Sequence, residues 1–125
     1  MDDVKVIAAR FTDRPKTDPN ARIMTIADYV VVGKEKERAG RMYVGDEFRA
    51  VVITISPGEA QTVHMHPETS HAWFVVSGGG VVTMEDGRQE RIEAGQFAVH
   101  PRNSVHGLRN DRDENLTYIA LSLGA

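Results

Sequence analysis

From Ile23 onward the chain alternates short β-branched and aromatic runs with Gly, Pro, Asn and Asp. Runs of this kind predict strands at Thr25–Val32, Phe48–Ser56, Ala60–His66, Ala72–Val76 and Val81–Glu85. Further strands are predicted at Arg88–Ile92, Gln96–His100, Ser104–Leu108 and Leu116–Leu123. No segment of helical length sustains a 3.6-residue apolar period, so helix content should be low. Asp86-Gly87, set between two strand-like runs, is a hairpin signal. Pro57-Gly58 and Glu93-Ala94-Gly95 turn the chain between other pairs. Many short strands with turns between them indicate an all-β sandwich or barrel. A series of hairpins that must bury one face and leave no open edge can do so as a jelly roll or closed barrel. Pro15 and Pro19 break up the beginning of the chain, so residues 1–22 are predicted as an N-terminal arm with one short strand at Val4–Ile7. Residues 23–125 then form the barrel domain.

Within a strand, alternate residues share a face. Trp73 and Val75 have the parity of His71 and should face the interior with it, as walls of a pocket. Phe97 and Val99 should share one face, which would make Phe97 a further pocket residue and leave His100 outside, at the surface or an interface. Phe74 and Val76 are left on the outer face of the barrel.

Composition narrows the function classes. A chain of 125 residues is one domain, and 41% hydrophobic with 26% charged residues is an ordinary globular balance. Apolar runs such as Val51–Ile55 are far too short to span a bilayer, so no membrane role is expected. Asp2 and Asp3 replace the basic segment of a secretory leader, and a cytoplasmic location is the simplest expectation. A net charge of −3 without clustered Lys and Arg argues against nucleic acid as a partner. The mixed-sign run 34–38 reads as a solvated loop. With no cysteine, thiolate metal sites and thiol nucleophiles are excluded.

The candidate chemistry lies in the histidines, all five of which fall between positions 64 and 106. His64 and His66 are separated by one residue and share a strand face; Met65 points away. His71 follows across a turn through Pro67, and His106 follows the Pro101-Arg102-Asn103 turn. Taken singly, each is most simply a surface or hydrogen-bonded core histidine. Together they can form a cluster suited to Zn, Fe, Cu or Ni. Their framework resembles the cupins, whose motifs are G-x5-H-x-H-x3–4-E-x6-G and G-x5-P-x-G-x2-H-x3-N. Gly58, His64, His66, His71 and Gly78 reproduce the first spacing; Gly95, Pro101, Asn103, His106 and Asn110 reproduce the second.

The resemblance implies an all-β, antiparallel jelly-roll barrel (a double-stranded β-helix) holding one divalent transition metal ion (Fe, Mn, Ni, Co, Cu or Zn) on His64, His66, His71 and His106. It also implies a homodimer. Two positions depart from the motifs. Asn103 stands for glycine, a mild change because Asn tolerates left-handed backbone angles. His71 stands for the motif Glu, so that carboxylate's role does not transfer, and Glu68 in the turn reads as solvent-facing. Four neutral imidazoles would leave the ion with its full charge, favouring anionic ligands. The expected function is a metal-dependent, dioxygenase-like oxidoreductase acting on a small enolisable or phenolic substrate. A non-catalytic metal or small-ligand binding module and a metal-dependent isomerase are the alternatives. Arg102 and Arg109 flank the second motif; solvation is the expected state of each, and orienting an anion the alternative.

Overall fold

The structure is a computed structural model and describes residues 5–6, 22–32 and 38–124. Its strands are β1 (Lys5–Val6), β2 (Arg38–Val44), β3 (Phe48–Ile55), β4 (Ala60–Met65) and β5 (Ser70–Ser77). They continue with β6 (Gly79–Thr83), β7 (Gln89–Glu93), β8 (Phe97–His100), β9 (His106–Arg109) and β10 (Leu116–Leu123). Two five-stranded sheets result, ordered β1-β4-β9-β6-β7 and β2-β3-β10-β5-β8. All pairings are antiparallel except β1 with β4. This is the expected jelly roll, and helix is confined to two short 3-10 turns among the described residues.

The sheets close on a core drawn from both: Ile55, Trp73, Val75, Leu116, Tyr118 and Ala120 meet Val82, Ile92 and Leu108. Turn chemistry sets the closure. Asp86 (φ 61°) and Gly87 (φ 72°) both occupy the left-handed region, and Arg88 N–H donates to Glu85 O across them, the primed turn that matches strand twist. Asn103 (φ 69°) takes the same region at the motif glycine's place, with Ser104 N–H donating to Pro101 O. Asn110 is fully buried and ties two loops together. Its Nδ2 donates to Ile55 O (2.9 Å) and Glu114 O (2.8 Å), and its Oδ1 accepts from Arg112 N–H (3.0 Å).

The structure corrects the reading in two places. Thr25–Val32 is not a strand: Ile26–Tyr29 forms a 3-10 turn, and Met24, Ile26, Tyr29 and Val30 pack against Met42, Ala50 and Val52 on the outer face of the β2-β3-β10-β5-β8 sheet. The apolar pattern there serves as a cover over a sheet. Gly40 allows it, because a Cβ at that position would stand 1.8 Å from Tyr29 O. Strand β2 had no expectation at all; it opens Arg-Ala-Gly-Arg, with too few apolar residues to show a period of two. Residues 34–37 of the mixed-charge run, most of the N-terminal arm, and Val4 and Ile7 lie outside the described residues.

Candidate metal centre

His64 lies near the end of β4, and His66 follows that strand directly. His106 opens β9 across from His64 in the β4–β9 ladder. Register alone therefore brings the two motifs face to face. Ring centroids are 4.8 Å apart for His64 and His66, 4.5 Å for His64 and His106, and 5.4 Å for His66 and His106. One ring nitrogen of each lies within 4.8 Å of the others.

His71 lies within β5, near its start, and its ring stacks on that of His66 at 3.9 Å. It is outside the three-nitrogen group. Its Nε2 is 2.8 Å from Thr69 Oγ1 and its Nδ1 is 3.3 Å from Ser122 Oγ. A neutral imidazole offers one N–H and one lone pair, so one hydroxyl accepts while the other donates, and both nitrogens are engaged. Nothing in the sequence marked Thr69 or Ser122 for this task. Ser122 lies across from His71 in the β5–β10 ladder, a relation invisible before strand pairing is known.

His100 overturns its expectation. It is 4% exposed and faces the interior, across from His71 in the β5–β8 ladder. Phe97 and Val99 share a face as expected, but that face is the outer one, where they are 55% and 64% exposed. Phe97 therefore does not line the interior. Trp73 does: it is buried, with ring centroids 4.1 Å from His100 and 5.4 Å from His106. Val75 is buried one step deeper, in the core beside Tyr118. Glu68, Arg102 and Arg109 are exposed. Arg49 is a cation on the inner side, since it stands opposite Ser122 in the β3–β10 ladder and has the parity of buried Val51. Its charge acts on His71.

Burial dominates the electrostatics. It lowers His71 to about 3, with the neighbouring His66, His64, His100 and Arg49 adding to the effect. His106 falls to about 2 by burial and by the facing histidines, although its bond to Ser104 O opposes this. His100 falls to about 4 by burial, opposed by Glu85. These three rings are thus neutral near pH 7.

The donor set fits a metal ion. His64 Nδ1 donates to Thr62 O (2.5 Å) and His106 Nδ1 donates to Ser104 O (3.1 Å), because a carbonyl only accepts. With the proton on Nδ1, the ring lone pair of each lies on Nε2, the usual outer-shell arrangement for metal-binding histidines. His106 Nε2 is buried with no hydrogen-bond partner among the described residues. A purely imidazole set suits Mn, Fe, Co, Ni, Cu or Zn over Mg or Ca.

Residues 51–122 match the Cupin domain family. An 81-residue segment is 31% identical to the mannose-1-phosphate guanylyltransferase of Escherichia coli K12, covering 65% of this chain and 17% of that protein. The chain thus spans less than a fifth of the length of that relative. Among solved structures, a Klebsiella pneumoniae protein with a double-stranded β-helix domain aligns with a TM-score of 0.79 at 23% identity, over 83% of this chain and 90% of that one. KdgF from Halomonas sp. aligns at 0.65 and 23%, over 70% and 79%. At these identities the structural matches establish the fold alone.

Proposed function

The chain belongs to the cupin domain family, and from that premise we propose that it is a metal-dependent oxygenase cleaving a carbon–carbon bond in a small anionic, enolisable or phenolic substrate. One observation carries the reading: three imidazoles converge on one point while Thr69 and Ser122 hold the fourth back. A centre built this way keeps positions for outside ligands, whereas four histidines on tetrahedral Zn would close the shell. A bound redox-active divalent ion would supply Lewis acidity and one-electron chemistry there.

The chain's own residues supply the rest. The Thr62 and Ser104 carbonyls fix the rings of His64 and His106. Trp73 walls one side and excludes water. Arg49, on the inner row with Ser122 and His71, draws an anionic group toward the site, a task that exposed Arg102 and Arg109 are not placed to perform. Phe74, Val76, Phe97, Val99 and Leu123 are exposed on the outer face of the same sheet, which supports a homodimer formed through it.

The test is oxygen uptake by the Fe- or Mn-loaded protein with a panel of 1,3-diketones, catechols and flavonols, together with the spectral response to azide. One metal per chain, an azide adduct and uptake with a panel member are expected. Stoichiometric metal with neither response would assign the chain to non-catalytic metal or ligand binding instead.

A further inference from the structure

Two histidines, His71 and His100, lie outside the group that can share an ion, and of these His71 is engaged by Thr69 and Ser122. His100 ends β8, and the register places it on one inner row with His71 on β5, Ser122 on β10 and Arg49 on β3. Its ring lies nearly parallel to that of His106, with centroids 4.5 Å apart and planes at 19°. The ring of Trp73 meets it edge-on at 4.1 Å. His100 is not in the group of three nitrogens that can share an ion. Yet its Nε2 is buried without a hydrogen-bond partner among the described residues.

Leaving a buried polar group unpaired costs about 1–3 kcal/mol. A phenylalanine would fill the space between His106 and Trp73 without that penalty. The retained nitrogen therefore points to a partner that arrives from outside the chain. The ring that carries this nitrogen lies 4.5 Å from that of His106, so a molecule bound on the His106 side of the metal centre lies beside it.

We propose that His100 is a specificity-determining residue: its Nε2 hydrogen-bonds a second oxygen of the ligand whose first oxygen is held at the His64–His66–His106 centre. This rests on the metal reading above and narrows it. The ligand class is a molecule with two oxygens a short span apart, such as a carboxylate or an enolised diketone, in preference to a monatomic anion.

The test uses the full chain loaded with Co(II), whose visible spectrum reports ligand binding, titrated with acetate and with chloride. In His100→Phe, cobalt stoichiometry and chloride affinity should be unchanged, while acetate affinity should fall roughly five- to tenfold, the worth of one hydrogen bond. His100→Gln, which keeps a donor and an acceptor, should recover most of the loss. Unchanged acetate affinity in His100→Phe with cobalt retained would overturn the proposal, because the nitrogen then never reaches the ligand. Loss of cobalt in that variant would also overturn it, by making His100 part of the metal shell. Failure of the wild type to take cobalt would remove the metal reading and this inference together. If neither variant folds, the imidazole 15N shifts of His100 in the zinc-loaded wild type decide. Movement on adding acetate supports the contact; no movement refutes it.

Discussion

Three of the histidines make the metal-free protein acid-labile, and the size of the effect follows from their burial. His71, His100 and His106 hold their folded pKa values at about 3, 4 and 2. In the unfolded chain each returns to about 6.5. Below pH 6.5 the unfolded state therefore binds protons that the folded state refuses, so stability is full above that pH and falls as acid is added. Between pH 7 and pH 5 each ring costs about 2 kcal/mol, and the three together about 6 kcal/mol. That is comparable with the whole stability of an ordinary domain, about 5–15 kcal/mol. The folded rings begin to take up protons only near pH 4, where His100 titrates, so the slope is steepest within this window.

Urea denaturation of chelator-treated protein at the two pH values measures the loss. Trp73 is the sole tryptophan and touches His100 and His106, so its fluorescence reports the site as well as the fold. His71→Gln should remove about a third of the pH dependence. A total change below about 2 kcal/mol between pH 7 and pH 5 would refute the reasoning, since not even one ring would then be held neutral.

Other outcomes can be checked independently. His106→Ala should strip most of the metal, because it alone supplies the β9 side of the triad; unchanged stoichiometry by elemental analysis would contradict the centre. Asn110→Ala removes three hydrogen bonds at a fully buried position, worth about 3 kcal/mol, and should lower the Tm by roughly 10 °C in a calorimeter. Phe97→Glu combined with Val99→Glu should turn a dimer into a monomer by light scattering; a wild type already monomeric at micromolar concentration would remove the outer-face interface.

Much of the fold was legible because turn chemistry is local. Asp86-Gly87, Pro57-Gly58, Glu93-Ala94-Gly95 and Pro101-Arg102-Asn103 all mark real turns, and the strands between them follow. Where the sequence reading failed, tertiary context decides. Thr25–Val32 has a strand's composition, but its apolar residues lie on the outside of a sheet already formed. The convergence of His64, His66 and His106 was readable from spacing and parity within strands. The restraint on His71 was not, because one of its two partners, Ser122, belongs to the last strand of the chain.

His100 shows where parity stops being informative. Alternation along β8 says that Phe97 and Val99 share one face and that Ala98 and His100 share the other; it does not say which face is inside. Hydrophobicity usually decides, and it favoured burying Phe97. The β2-β3-β10-β5-β8 sheet defeats that rule because it is apolar on both sides, with Val75 and Tyr118 inward and Val52, Ile119, Phe74 and Phe97 outward. Only pairing resolves the choice. Once β8 lies against β5 with His100 opposite His71 and Ala98 opposite Trp73, the small alanine leaves room for the indole. His100 must then join His71 on the inner face. The polar residue lies inside and the phenylalanine outside because the sheet has two apolar surfaces to satisfy and a site to serve on one of them.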